Sequence, residues 1–316
     1  MTGQRYKRTI LATCCVPWTG RGEEFDEDLF RSSIHRLVSD GFRDLYIFGT
    51  AGEGHNVSDR GFNRVAEAFI TQVLGEGEAP MVGVISTSLP TMLGRIEFAA
   101  GLGCRVFQFS FANWGRLNDN ELAALFRAVC GTYPQLQFIH YNIARSGRVV
   151  LPQEYARFAE EHPNLVGTKY GAGEPEIVNG LLLRAGSLRH FFTELGFFYG
   201  SVVGECGFLA SIASTNPSAA RHYYEAATRG DLATLAVFYR ELAGMMAALR
   251  EAVGVGPHLD AAFDKILSKV NDARFPLYLQ PPYEGSTERA YLTYRQVLAT
   301  TYPRWLKAEA LPSAAS

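Results

Sequence analysis

The chain has 316 residues, 47% of them apolar and 20% charged. That balance excludes low-complexity, collagen-like and intrinsically disordered classes. Thirty basic side chains against 32 acidic ones leave a net charge of −2, which speaks against bulk attraction to nucleic acid or to an anionic membrane surface.

One asymmetry sits inside the basic count. Only five of the 30 are lysines, Lys7, Lys169, Lys265, Lys269 and Lys307, so a single lysine lies between Lys7 and Lys265. At the N-terminal end, the apolar stretch 10–16 is short and is broken by Pro17, so neither a signal peptide nor a membrane span is expected there. No run of about 18 apolar residues, the length a spanning helix needs, is read in the rest of the chain. The five cysteines, Cys14, Cys15, Cys104, Cys130 and Cys206, are odd in number and have no paired CxxC spacing. They fit reduced thiols in the cytoplasm better than a disulfide framework or a zinc site.

In chain order, short β-branched or aromatic runs at 9–14, 44–48, 81–85, 105–110, 137–141, 165–169, 188–193 and 207–210 predict eight strands. Helical segments fall between them. The first, 27–40, carries Leu29, Ile34, Leu37 and Val38 near helical spacing, and the second, 58–74, opens on Ser58 as its N-cap. There follow 90–101, 119–132 with Asp119 as N-cap, 152–162 with Pro152 in its first turn, and 176–185. Six of the seven gaps between strands hold such a helix, at about 28 residues per unit, close to one βα repeat. No strand alternates cleanly between apolar and polar residues, as expected of parallel strands covered on both faces.

Eight such units in about 220 residues predict an α/β fold, a (β/α)8 TIM barrel. A doubly wound open sheet is the alternative, but 16–22 lacks the glycine-rich nucleotide loop that usually follows its first strand. Beyond this the strands stop, and 218–229, 232–253, 259–270 and 284–298 read as helices. The expected division is a catalytic barrel over 1–225 and a C-terminal helical extension over 226–316.

Barrels of this kind place their chemistry at the C-terminal ends of the strands. Lys169 closes the apolar run Leu165-Val166-Gly167-Thr168. Arginine stays protonated, whereas a lysine amine can be deprotonated by desolvation and attack a carbonyl. The same position also suits a lysine paired with a buried carboxylate. Tyr141, next to Asn142 at the end of the fifth strand, can pass a proton if its hydroxyl is held, or is a half-buried aromatic with a satisfied hydroxyl. The loop Gly49-Thr50-Ala51-Gly52-Glu53 either turns backbone N–H groups toward an anion such as a carboxylate or is a plain strand-to-helix turn. His55, just beyond it, reads first as a turn or interface residue.

These three pieces together resemble the dihydrodipicolinate synthase / N-acetylneuraminate lyase family of class I aldolases. That family carries a GTTGE-like loop after strand two, a Tyr-Asn stretch at strand five and a G-x-K at strand six. Here the matches are Gly49-Thr50-Ala51-Gly52-Glu53, Tyr141-Asn142-Ile143 and Gly167-Thr168-Lys169. Weaker matches are Phe25-Asp26-Glu27-Asp28 at the first helix, Gly101-Leu102-Gly103-Cys104 before strand four, and the stretch 152–169.

The resemblance implies a (β/α)8 barrel in a homotetramer of two tight dimers. It implies no metal and no bound organic cofactor, only a covalent Schiff base on Lys169 with pyruvate or another 2-keto acid. Tyr141 would shuttle the proton and Thr50 would orient Tyr141. The amides of Thr50 and Ala51 would hold the keto acid's carboxylate, and Leu209 would offer a backbone carbonyl. Arg145 falls where the family's synthases bind the carboxylate of the aldehyde. Phe111, within 109–114, stands nearest one tyrosine of a family Tyr-Tyr pair. Glu194 and Ser211 fall where the lyase branch binds a sugar polyol.

Ala51 replaces the second threonine of the loop, and a phenylalanine at 111 cannot relay a proton; both weaken the match to the synthase itself. With Leu195, Phe197, Phe198 and Tyr199 after strand seven and Phe109, Phe111 and Trp114 opposite, the second-substrate end is expected to be aromatic and less polar. The expected function is a pyruvate-dependent class I aldolase or lyase whose aldehyde partner is less polar than a sugar. The alternatives are a 2-keto-3-deoxy sugar-acid dehydratase, 4-hydroxy-tetrahydrodipicolinate (dihydrodipicolinate) synthase, and a non-catalytic ligand-binding barrel oligomer.

Overall fold

The computed structural model describes residues 5–20, 22–111, 114–171 and 174–306. Lys307 and, within the stretch 109–114, Ala112 and Asn113 lie outside the described residues. Eight parallel strands close in sequence order into one barrel, the eighth pairing with the first. They are β1 (Ile10–Thr13), β2 (Asp44–Ile47), β3 (Ala79–Gly83), β4 (Val106–Phe109), β5 (Gln137–Asn142), β6 (Leu165–Tyr170), β7 (Arg189–Phe192) and β8 (Gly207–Ala210). Helices α1 (Glu27–Ser39), α2 (Asp59–Gly75), α3 (Leu89–Gly101), α4 (Asp119–Phe126), α5 (Pro152–Glu161), α6 (Pro175–Arg184) and α7 (Glu194–Val203) follow the first seven strands. After β8 come α8 (Pro217–Arg229), α9 (Leu232–Val253), α10 (Asp260–Asn271) and α11 (Glu288–Thr301).

Nearly every strand residue is buried, which is why the strands read as apolar runs rather than alternating ones. One set of side chains, including Leu11, Tyr46, Met81, Val106, Ile139, Phe191 and Leu209, fills the barrel, and Tyr6 packs with it. The other set meets the apolar faces of the helices in a single large core. The β5–β6 register shifts at Phe138/Ile139, and beyond the shift Tyr141 stands opposite Lys169. A one-residue slip would turn one of the two outward, so this irregularity sets the chemistry of the barrel mouth.

Element ends show local chemistry outranking simple periodicity. Ser58 caps α2 as expected, accepting from the Gly61 N–H at 3.1 Å. The cap of α4 is Asn118, one residue before the expected Asp119. Its side chain accepts from the Glu121 N–H at 3.0 Å while Glu121 accepts from the Asn118 N–H at 2.8 Å, a closed capping box. The last helix opens at Glu288 behind the Thr287 cap rather than at 284. Gly285 runs so close to another segment that a Cβ there would lie 1.9 Å from the Leu277 carbonyl oxygen. Helix α7 shows almost no amphipathic contrast and carries Gly196 and Gly200, so periodicity does not delimit it. Helix α9, contrary to the expectation from composition, is 22 residues long and apolar enough to cross a membrane; here it packs Leu235, Phe238, Leu242, Met245 and Leu249 into the core.

Candidate active site

Lys169 ends up at the centre of the barrel mouth, 6% exposed. Its Nζ lies 3.8 Å from the centre of the Tyr141 ring and donates to the Tyr46 hydroxyl at 3.3 Å. Tyr46, fully buried on β2, donates its own hydroxyl hydrogen bond to Gln108 Oε1 on β4. Burial pulls the Lys169 amine down to about 8 from its ordinary 10.5, with Asp260 and Asp264 pulling the other way. At neutral pH roughly a tenth of the amine is therefore uncharged and nucleophilic. Burial raises the Tyr141 phenol well above its usual range and Asp260 adds to that, while a hydrogen bond with the Thr50 side chain opposes them.

The loop from 49 to 53 is shaped by two left-handed residues that are not glycine, Phe48 (φ 63°) and Glu53 (φ 60°). Such residues cost of order 1 kcal/mol or more each and persist only where the surroundings fix them. Phe48 is fixed by stacking on Phe62, ring centres 4.9 Å apart. Glu53 is wholly buried and fully partnered: it accepts from Trp18 Nε1 at 2.8 Å and from the Gln280 N–H at 2.7 Å, and pairs with Lys265 at 2.8 Å. Gly49 is required because the Tyr46 hydroxyl fills the place of a side chain; a Cβ would sit 1.6 Å from that oxygen. The loop thereby brings Thr50 and Ala51 to the wall of the Lys169 cavity.

That cavity measures 620 Å³, and Thr50, Ala51, Tyr141, Arg145, Lys169, Glu194, Leu209 and Ser211 all line it. Glu194 opens α7, and its carboxylate accepts from the Ile212 N–H at 3.0 Å; burial raises its pKa. Arg145, on the turn Ala144–Ser146, pairs with Asp260 at 2.8 Å. Phe111 is the exception: its buried ring stacks on His140, 5.3 Å between centres, and faces an adjoining cavity of 350 Å³. The two cavities share Thr50, Tyr141, Ile143 and Arg145. His55 belongs to the second one, with its ring edge-on to Tyr283 at 5.6 Å.

The expected aromatic wall is not there. Phe197 stacks on Phe208 at 4.7 Å, Phe198 and Tyr199 lie against Tyr239, and Leu195 packs on the core. Phe109 packs on Phe126 and Phe138, and Trp114 is fully exposed. Neighbouring strands and helices take up all of these rings but Trp114. Charged residues take their place around the cavity: Arg250 on α9, and Asp260 and Asp264 on α10, with Met246 and Phe263 beside them. Among the described residues no group of three or more His, Cys, Asp or Glu side chains is placed to share a metal ion.

Tyr46, Thr13, Arg250, Asp260 and Asp264 stand in no motif that singles them out in the sequence. A usable signal for Asp264 was present: an acid between Ala261-Ala262 and Ile266-Leu267, on the buried face of a helix.

The sequence profile of the dihydrodipicolinate synthetase family matches residues 7–280. A 4-hydroxy-tetrahydrodipicolinate synthase of Thermus thermophilus is 27% identical over 222 residues, 68% of this chain and 73% of that enzyme. A dihydrodipicolinate synthase from Thermotoga maritima superposes with a TM-score of 0.79 at 19% identity, covering 92% of this chain and 97% of that one. A prophage protein of the dihydrodipicolinic acid synthase family from E. coli K12, solved in complex with pyruvate, gives 0.81 at 15% identity, covering 93% and 98%. At these identities the superpositions speak for the fold, and the profile speaks for the family. The chain therefore belongs to the dihydrodipicolinate synthetase family and is an enzyme of its aldolase-type lyase class.

Proposed function

We propose that the enzyme joins or splits a 2-keto acid, pyruvate in the simplest case, and a polar aldehyde through a Schiff base on Lys169. The observation that carries this reading is the Lys169 amine, buried at the barrel mouth with its pKa drawn down to about 8. The free amine attacks the keto carbon, the carbonyl oxygen leaves as water, and a protonated imine remains. That imine withdraws electrons from the neighbouring carbon, so loss of a proton there gives an enamine. The enamine carbon bonds to the aldehyde carbon, the aldehyde oxygen takes up a proton, and water then hydrolyses the imine to free product and lysine. Cleavage is the same path reversed, and no external cofactor is required.

Tyr141, hydrogen-bonded to Thr50, is suited to pass the protons, and the amides of Thr50 and Ala51 to receive the keto acid's carboxylate. Leu209 lies beside them on the cavity wall, with Glu194 and Ser211 toward the aldehyde end. A homotetramer of two tight dimers belongs to the same proposal. Borohydride reduction of the wild type with pyruvate is expected to add to Lys169 the mass of one pyruvic acid less one oxygen atom, and Lys169→Arg is expected to gain nothing. A wild type that gains no mass at Lys169 overturns the proposal.

A further inference from the structure

Helix α10 is outside the barrel, yet one stripe of it walls the Lys169 cavity. Asp260, Phe263, Asp264 and Leu267 recur at helical spacing on that side. The lysines of the same helix have partners elsewhere: Lys265 with Glu53 at 2.8 Å and Lys269 with Glu288 at 3.0 Å. Asp264, 9% exposed, is instead hydrogen-bonded by the Ser211 side chain just past β8. Ala12 pairs with Ala210 across β1 and β8, which brings Thr13 alongside Ser211. Thr13 lines the cavity and is 3% exposed, and its buried hydroxyl has no hydrogen-bond partner. A buried hydroxyl left in that state holds unspent hydrogen-bonding capacity beside Ser211. One turn earlier on the same stripe Asp260 occupies the guanidinium of Arg145 at 2.8 Å, the one cation shared by both cavities.

We infer that Asp264 is a specificity-determining residue: with Ser211 and Thr13 it forms a hydroxyl-binding subsite for an uncharged hydroxyaldehyde, while the Asp260–Arg145 pair turns away aldehydes that carry a carboxylate. The inference rests on the pyruvate reading above and adds the class of the second substrate. Burial, reinforced by the charge of Asp260, raises the Asp264 carboxyl to about 8, so at neutral pH it both donates and accepts, as an alcohol partner requires. A substrate carboxylate in the same space would face Asp260 and Glu194 with Arg145 already engaged, and the cavity's other guanidinium, Arg250, is exposed to solvent.

The test pairs pyruvate with glyceraldehyde or with succinic semialdehyde, in the wild type, Asp264→Val, Asp264→Asn and Asp260→Asn. The wild type is expected to show the higher kcat/KM with glyceraldehyde. Asp264→Val is expected to lower that value about 10- to 100-fold with little effect on succinic semialdehyde, and Asp264→Asn, a neutral donor and acceptor of similar shape, to restore most of the loss. Asp260→Asn is expected to raise kcat/KM for succinic semialdehyde. Borohydride trapping of pyruvate on Lys169, run on each variant, reads the first half-reaction alone and is expected in all of them, with its pH midpoint moved down where a carboxylate facing Lys169 is removed. Equal losses on both aldehydes in Asp264→Val, no rescue by Asp264→Asn, or a wild type that prefers succinic semialdehyde overturns the subsite even when trapping succeeds. Failure of trapping in the wild type overturns the pyruvate reading and the subsite with it.

Discussion

Lys169 can attack a carbonyl only when its amine is uncharged, and burial is what brings that state within reach of neutral pH. The direction of the pH effect follows. Protonated amine is inert, so the rate of pyruvate trapping should climb as pH rises through about 8 and level off above it. The groups that face it are Tyr46 and Tyr141 beside it and Arg145, Glu194, Arg250, Asp260 and Asp264 around the cavity, and they set where the midpoint falls. A trapping profile with its midpoint in the ordinary lysine range, near 10.5, would show that the amine is not desolvated.

Lys169, Tyr141 and Thr50 were legible in the sequence because their neighbours form short motifs at strand ends. Tyr46, Thr13 and Asp264 were not, for a shared reason. Where both faces of a strand or most of a helix are buried, apolar patterning does not say which face looks into the barrel mouth.

At the scale of elements, the loop after β2 and the helix α10 do the positioning. The loop is held in a strained path by Phe48 and Glu53 and closes against Tyr46 through the missing side chain of Gly49. Gly49→Ala would set a methyl against the Tyr46 oxygen, forcing either the Lys169 contact or the Thr50 and Ala51 amides to move. A displacement of about 1 Å can cost about a hundredfold in rate, so trapping should slow by at least tenfold and the KM for pyruvate should rise. Steady-state kinetics at fixed pH measure both, and unchanged values would show the loop to be more pliant than its packing suggests. That the loop exists could be read from its two glycines; that Tyr46 dictates one of them could not, because the clash is three-dimensional. The walls of the second-substrate end were misread for a related reason. Phe197, Phe198 and Tyr199 follow the correct strand, but they lie on α7, whose apolar residues face its neighbouring helices.

In the molecule as a whole, the regular βα rhythm made the barrel readable, since each unit spends a similar length of chain. The cooperation between barrel and C-terminal helices was hidden, because it depends on contacts far apart in sequence. Glu53 is the knot: Trp18 from the loop after β1, Lys265 from α10 and Gln280 from the segment before α11 all converge on one buried carboxylate. Lys265→Met would leave that carboxylate buried without its cation, at a cost of about 3–5 kcal/mol. Denaturant unfolding is expected to show that loss in a single transition, since barrel and helices share the knot. A loss below about 1 kcal/mol would mean that Glu53 takes up a proton or water readily.

The scarcity of lysine has a practical consequence. Of the four described lysines, Lys169, Lys265 and Lys269 are buried, the last two in ion pairs, and Lys7 alone has a side chain more than half exposed. A reagent that modifies primary amines therefore meets very little background on the body of this protein. Whatever it does reach inside the barrel, and whatever a keto acid shields from it, can be read directly as a footprint of the Lys169 cavity, without the enzyme having to turn over.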